Sequence, residues 1–269
     1  MGQISHLEIY KHLQKTNCRE CRLPTCLAFA TAVMRGDTRL DLCPYIDRSV
    51  LQQLEGRLGP PRSTIQDDRD KAIKQLQEEI RTLDLSEAAQ RLEAPYSDGT
   101  LSVRCLSKDF HIDSQGAVSS DCHTTPWLII PLLNCVIHSA GKRTTGRWVP
   151  FRELNGGADW ERLFGQRCEK PLKQVLDVHT DLFEDIIDIF AGRLVEDSSS
   201  CDISVVIQPL PKVPVLIRYW GKEGVFESTL PLFFDSTAAD NLGVEPLYML
   251  CVGLVTMFEK IALTHGNRS

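Results

Sequence analysis

Cys18–Arg19–Glu20–Cys21–Arg22–Leu23–Pro24–Thr25–Cys26, closed by Cys43–Pro44, is the stretch around which this chain is organised. Its spacing reads C-x2-C-x4-C-x16-C-P. Four soft thiolates at such intervals suit an iron–sulfur cluster or zinc. A C-x2-C step lets one turn point both thiolates inward. Pro24 stands where a helix should begin, and Leu27–Ala28–Phe29–Ala30–Thr31–Ala32–Val33–Met34 is a helical run that stops at Gly36. Cys26 is therefore expected in the first helical turn. There the positive end of the helix and its unpaired N–H groups favour a thiolate and a net-negative cluster. The return path closes as well. A helix from Cys26 to Arg35 is roughly 15 Å long at ~1.5 Å per residue. The segment 36–43 reaches roughly 25 Å when extended, enough to bring Cys43 back to the first three cysteines. Pro44 biases Cys43 towards extended backbone.

A zinc knuckle usually carries a second C-x2-C pair, and this chain has none. Lys15–Thr16–Asn17–Cys18, Cys21, Leu23–Pro24–Thr25–Cys26, Ala28–Phe29–Ala30 and Cys43–Pro44–Tyr45 resemble the four-cysteine [4Fe-4S] domain of the corrinoid/iron–sulfur protein large subunit. That subunit belongs to the carbon monoxide dehydrogenase/acetyl-CoA synthase system. The resemblance covers about residues 1–58. It implies one [4Fe-4S] cluster held by Cys18, Cys21, Cys26 and Cys43. Arg22 replaces a glycine usual in that family after the second cysteine, which adds charge without removing a ligand.

The whole chain sets wider bounds. With 269 residues, 42% hydrophobic and 25% charged, it has the composition of a globular protein of one or two domains. A net charge of -6 argues against broad nucleic-acid binding. The longest apolar run, Trp127 to Ile137, is too short to span a bilayer. The start, Met1–Gly2–Gln3–Ile4–Ser5–His6, has no charged region followed by an apolar core, so no signal peptide is expected. Met1–Gly2 opens like a myristoylation signal, but the module behind it is of prokaryotic type. Six further cysteines, Cys105, Cys122, Cys135, Cys168, Cys201 and Cys251, are scattered singly. Without export signals they read as reduced thiols of a cytoplasmic protein. The resemblance further implies a reducing, anaerobic setting.

The expected fold class is α+β: a small helical [4Fe-4S] module at 1–58, a helical connector at 59–95, and a mixed helix and antiparallel-sheet domain at 96–269. A short helix is expected near Leu7–Leu13, and another from Arg48 to Leu58 behind Asp47. Gly59–Pro60–Pro61 marks a boundary. Ile73, Leu76, Ile80 and Leu83 form the stripe of a charged helix at about 67–82, and a shorter helix covers Ser86–Leu92. Strands are expected at Leu101–Cys105, Phe110–Ile112 and Ala117–Val118. An apolar helix runs from Thr125 to Ser139, with Pro131 kinking or delaying it. Then follow a polar loop at 141–157, a short helix at Asp159–Phe164 and one long helix from Pro171 to Arg193. Ile203–Ile207 and Val213–Trp220 read as strands. Gly221–Gly224 is a hairpin turn, with a returning strand from Val225 to Asp235. Val244–Leu263 is a final buried helix.

Trp148–Val149–Pro150–Phe151–Arg152–Glu153–Leu154, Gly156–Gly157, Pro211–Lys212–Val213–Pro214–Val215, Tyr219–Trp220 and Leu232–Phe233–Phe234–Asp235–Ser236 look like a bacterial and archaeal family of uncharacterised domains. Its members often follow this same cluster module. This second resemblance covers roughly residues 68–265 and brings no activity with it.

Other candidate sites give way to plainer readings. Asp109–Phe110–His111–Ile112–Asp113–Ser114 approaches a D-x-H-x-x-G cobalt loop, but Ser114 replaces the glycine and the stretch reads as a strand. Cys122–His123 with Cys135 and His138 has metal-ligand composition, yet Cys135 lies on an apolar helix where single cysteines act as small hydrophobes. Gly141–Lys142–Arg143–Thr144–Thr145–Gly146–Arg147 is basic and suits an anion or an acidic partner. It is no Walker loop, because Val136 takes the place of the first glycine, and a solvated loop is the simpler reading. Arg152–Glu153 and Asp235 form no paired-carboxylate or triad pattern, and Asp235–Ser236 reads as a cap or turn leader. The expected role is that of a low-potential one-electron carrier, not an enzyme, serving a redox partner such as a corrinoid protein. Arg19, Arg22 and Arg35 temper the cluster charge and shape a docking face. The alternatives are a non-catalytic iron–sulfur sensor or assembly factor, and a cluster-dependent enzyme with its active site in the C-terminal domain.

Overall fold

Apolar side chains gather into two separate cores, and the chain divides accordingly into two units, Met1–Lys71 and Ala72–Ser269. The computed structural model describes residues 4–55, 58, 65–195 and 201–265. The Gly59–Pro61 boundary lies outside them.

The first unit is helical. Helix α1 (His6–Lys11) starts behind Ser5, whose hydroxyl accepts the Glu8 N–H at 3.2 Å. Helix α2 (Cys26–Arg35) has Thr25 as its N-cap and ends at Gly36 in left-handed backbone, φ 78°. Pro24 thus sits one residue outside the cap, and Cys26 is the first helical residue. A 3-10 turn at Leu40–Leu42 leads to Cys43, and α3 covers Arg48–Glu55. Ile9, Leu13, Phe29, Ala30, Val33, Leu40 and Leu54 are buried together. So small a core rarely supplies more than ~3–5 kcal/mol, and domains of this size commonly lean on a metal or disulfides.

The second unit is mixed α and β. Its first helix residues belong to α4 (Ile65–Ile80), whose positions from Ala72 onward fall in this unit. Leu76 and Ile80 from α4 enter its core together with Leu85, Ala88, Ala89 and Leu92 of α5 (Leu85–Leu92). Asp84 caps α5, accepting the Ser86 N–H at 2.8 Å.

An antiparallel sheet follows in the order β1 (Tyr96–Ser97), β2 (Thr100–Cys105), β3 (Lys108–Ile112), β4 (Val118–Ser120). Alternation in β2 turns Leu101, Val103 and Cys105 inward and leaves Arg104 exposed, as a half-buried strand requires. Helix α6 (Pro126–His138) starts at Pro126 and runs through Pro131 with Leu132, Leu133, Cys135 and Val136 wholly buried.

The second sheet is also antiparallel, in the order β5 (Trp148–Pro150), β9 (Leu232–Asp235), β8 (Val213–Tyr219), β7 (Ile203–Leu210), β6 (Arg193–Leu194). Its central strands β7 and β8 are apolar on both faces and almost wholly buried.

Three readings need correction. The polar loop at 141–157 contains the edge strand β5, which pairs Trp148 with Asp235 and Val149 with Phe234. It spans only three residues and ends in a proline, which an edge tolerates. The long helix at 171–193 is split. A π turn at Gly165–Glu169 joins α7 (Glu161–Phe164) to α8 (Lys170–Val178), and α9 (Leu182–Phe190) starts anew. The break falls on His179–Thr180–Asp181, three consecutive poor helix formers, with His179 at φ -124°, ψ 73°. The returning strand is also interrupted. Only the bridges Glu223–Phe226 and Trp220–Thr229 form before β9 begins at Leu232. There Pro231 has no N–H to give, and the Leu232 N–H goes to the Glu169 carboxylate at 3.0 Å.

Helices α10 (Ala238–Leu242) and α11 (Val244–His265) complete the unit. By length and composition 244–263 is the one stretch among the described residues apolar enough to cross a membrane. In this fold it packs against α6 and α8, with Leu247, Leu250, Cys251, Leu254 and Phe258 buried.

Candidate metal centre

The backbone between Lys15 and Arg22 is unusual. Lys15, Asn17, Arg19 and Arg22 all have positive φ, at 61°, 51°, 65° and 63°. Left-handed backbone costs a side chain with a Cβ roughly 1–2 kcal/mol per residue. It persists only where the surroundings enforce it, and such outliers cluster at functional sites. At Arg22 the φ of 63° gives a reason for the glycine usual at this place in the resembled family.

Hydrogen bonds fix the loop ends. The Cys26 N–H donates to Asn17 Oδ1 at 2.8 Å, and the Ala28 N–H to Thr25 Oγ1 at 3.1 Å. The Arg22 N–H closes a turn onto the Arg19 carbonyl at 2.8 Å, inside the span between Cys18 and Leu23. Cys43 is extended at φ -85°, ψ 111°, as the following proline demands. Tyr45 donates its hydroxyl to Glu20 at 2.6 Å, tying the segment after the fourth cysteine to the turn that holds the first two.

Cys18 is exposed, and Cys21, Cys26 and Cys43 are half-buried against the core of the first unit. Burial pushes the Cys43 thiol above its ordinary pKa, the Tyr45 backbone N–H pulls it back, and Cys21, Cys26 and Cys18 push it up again. Charge on each of the other three cysteines is thus felt at Cys43. A bound cation inverts that mutual repulsion and favours thiolates.

Among the described residues no three His, Cys, Asp or Glu side chains gather as the ligand set of a single metal ion. Tetrahedral zinc, at ~2.3 Å per Zn–S bond, draws its thiolates to roughly 3.8 Å from one another. A cluster, with iron and sulfide between the thiolates, holds them wider. The donor chemistry of this module, four thiols at C-x2-C-x4-C-x16-C spacing, fits an iron–sulfur group.

The other candidates are not assembled as sites. Asp109–Ser114 is strand β3 followed by a turn. His111 Nδ1 lies 2.9 Å from Ser102 Oγ, and Asp113 accepts the N–H groups of Gln115 and Ala117. Cys135 is wholly buried, and desolvation pushes its thiol up to about 12. His138 turns instead towards Glu79, at 3.6 Å.

The basic loop 141–147 does bind an anion, and the anion is the chain's own. Asp235, 1% exposed, accepts the N–H groups of Thr145 and Gly146 at 2.8 and 2.7 Å, and the Thr237 N–H and hydroxyl at 3.1 and 2.8 Å. Burial alone would raise the Asp235 carboxyl. The bonds from Thr237, Gly146 and Thr145 outweigh it and hold the group below its ordinary value. Asp235 is thus the turn leader expected of it, and a loop anchor besides. Arg152 pairs with Glu161 at 3.1 Å.

Sequence reading attached no role to Asn17, Glu20 or Tyr45. Asn17 carried a usable signal, because asparagine tolerates left-handed backbone and accepts local N–H groups. The Tyr45–Glu20 bond joins residues 25 apart and left no local trace.

Comparison with known proteins agrees with this division. Residues 13–45 match the family model described as "Putative Fe-S cluster". The corrinoid/iron-sulfur protein large subunit of Moorella thermoacetica is 47% identical over 58 residues, 22% of this chain and 13% of that protein. The acetyl-CoA decarbonylase/synthase complex subunit gamma of Methanothermobacter thermautotrophicus is 38% identical over 58 residues, again 22% of this chain and 13% of the relative. That of Methanocaldococcus jannaschii is 44% identical over 45 residues, 17% of this chain and 9% of the relative. The chain thus spans only a small fraction of these relatives' lengths. No solved structure matches it. Residues 84–257 match the model of the domain of unknown function DUF3786. The chain belongs to the DUF3786 family and carries, ahead of that domain, an iron–sulfur cluster domain related to those of the corrinoid/iron–sulfur subunits.

Proposed function

We propose that Cys18, Cys21, Cys26 and Cys43 hold one [4Fe-4S] cluster and that the protein is a low-potential one-electron carrier. The observation that carries this reading is the C-x2-C-x4-C-x16-C thiol set inside the segment that matches an iron–sulfur cluster family, on a loop with four left-handed non-glycine residues. Bound there, a cluster supplies reversible one-electron chemistry whose potential follows its charge, hydrogen bonds to sulfur and solvent exposure.

The chain's own residues set those levers. Phe29, Ala30, Leu40 and Leu54 close the inner side of the module to water. Cys18 is the exposed ligand and marks the edge a partner would approach. The Tyr45 backbone N–H favours the Cys43 thiolate. Lys15, Arg19 and Arg22 place positive charge on the loop itself. Asn17 holds the first N–H of α2 and with it the position of Cys26.

The partner in this reading is another redox protein, with a corrinoid protein as the candidate acceptor. The relative named as a corrinoid/iron-sulfur subunit supports that choice. The chain's own nearest approach to a cobalt loop is strand β3, so the corrin would reside elsewhere.

The test is anaerobic purification followed by iron, sulfide and zinc analysis and EPR after reduction. Roughly four iron and four sulfide per chain, with a reduced-state signal, are expected of a [4Fe-4S] carrier. A colourless, zinc-loaded protein would overturn it. A cluster that is redox-silent but whose loss changes partner binding would replace the carrier with a sensor.

A further inference from the structure

The second unit contains a cavity of about 550 Å³ that plays no part in the cysteine module. That volume lies inside the ~300–1,000 Å³ typical of small-molecule sites. Leu106, Phe110, Trp127, Leu128, Phe190 and Met257 give it a largely apolar wall, drawn from the β2–β3 hairpin, the start of α6, the end of α9 and the second half of α11.

Two features show that this wall is built at a cost. Gly253 lies in the middle of α11, where glycine is less favourable than alanine by about 1 kcal/mol. A Cβ there would meet the Trp127 ring at 2.2 to 2.6 Å. The helix gives up a side chain so that the indole can lie against it. The hairpin turn is the second feature. Leu106 and Ser107 both have positive φ, 48° and 67°, and a bulky leucine there is a true outlier. The turn is pinned from outside: the Leu106 N–H donates to the Gln208 carbonyl at 3.3 Å, and the Ser107 hydroxyl to the Ile189 carbonyl at 2.9 Å. Both Leu106 and Ile189 line the cavity.

The charged lining has one sign. Lys108 and Lys260 line the cavity together with the titratable His123, and no carboxylate is among its described lining residues. In a chain with a net charge of -6 this is a local reversal. We propose that the cavity is a binding site for an amphipathic carboxylic acid, an apolar body with a single anionic head, its body against Trp127 and Phe110 and its head drawn to Lys108. The proposal is independent of what the cysteine module binds.

The test uses the full chain with decanoate as the probe and 1-decanol as its uncharged counterpart. Calorimetry is expected to show saturable binding of decanoate, with 1-decanol at least tenfold weaker. Cys122 lines the same cavity and is partly exposed. Bound decanoate is therefore expected to slow its alkylation by N-ethylmaleimide several-fold, read by peptide mass spectrometry, with the rate at Cys201 unchanged. Lys108→Glu, a change on an exposed hairpin, is expected to weaken decanoate binding roughly tenfold, about the loss of one charge contact. Absence of saturable binding, or binding that leaves Cys122 unprotected, would overturn the site. Equal affinity for 1-decanol and decanoate would overturn the anionic head, and so would an unaffected Lys108→Glu variant.

Discussion

The two units treat the same residue type in opposite ways. In the second, Cys105, Cys135, Cys168 and Cys251 are at most 1% exposed, sit on a strand, two α-helices and a π turn, and have thiols raised by desolvation. These are small hydrophobes with no access to chemistry. In the first, Cys18, Cys21 and Cys26 belong to a loop and a helix start where four non-glycine residues within eight positions are left-handed. Cysteine content alone says nothing of reactivity here. The backbone that carries the thiol decides it, and the first unit spends stability to hold that backbone.

Replacing one cysteine in each unit breaks or sharpens this contrast most sharply. Cys21→Ser is expected to remove most of the iron and much of the first unit's stability, read by iron analysis and by hydrogen exchange over residues 4–55. Cys168→Ala is expected to leave the iron content unchanged and to cost about 1–2 kcal/mol from the cavity it opens. Full iron retention in Cys21→Ser would mean that the ligands are wrongly assigned.

Asp235→Asn comes next, in the second unit. It removes a carboxylate that accepts three backbone N–H groups and two hydroxyls, for an expected loss of about 2–4 kcal/mol in denaturant unfolding. The pH dependence has a definite sign. The folded-state pKa is depressed, so the stabilisation is present above the unfolded value of ~3.9 and is lost as pH falls through the lower folded value. The variant is expected to lack this acid-limb loss.

Asn17→Ala should cost the first unit about 1–2 kcal/mol, by losing both a left-handed-tolerant residue and the acceptor of the Cys26 N–H. Arg22→Gly is the smallest effect and has the opposite direction, a gain of about 1 kcal/mol in the first unit from relief at φ 63°.

Much of this architecture was legible in the residues. Thiol spacing, Pro24 ahead of α2 and Gly36 after it mark the module, and alternation in β2 and the apolar runs of β7 and β8 mark the sheets. The rest escaped for physical reasons. Three-residue β5 has too few positions to show a period, and it exists because β9 offers it a partner 85 positions on, Phe234 to Val149 becoming neighbours only in the fold. The stripe from Leu172 to Phe190 keeps helical phase across His179–Asp181, so periodicity cannot see the break. The left-handed run at 15–22 is held by partners such as Cys26, and nothing in Lys15 or Arg19 announces it.

The carboxylate beneath loop 141–147 has a wider meaning. A surface segment with three lysine or arginine residues and two glycines advertises itself as a receptor, yet its inward-facing amides are already saturated from within the polypeptide. Only the outward guanidinium and ammonium groups of Lys142, Arg143 and Arg147 remain for any visitor, and Lys142 already leans on Asp240 at 3.0 Å. Vacating the socket by shortening Asp235 to alanine would turn a self-sealed joint into an open berth, one that formate or acetate from the buffer is the right size to fill.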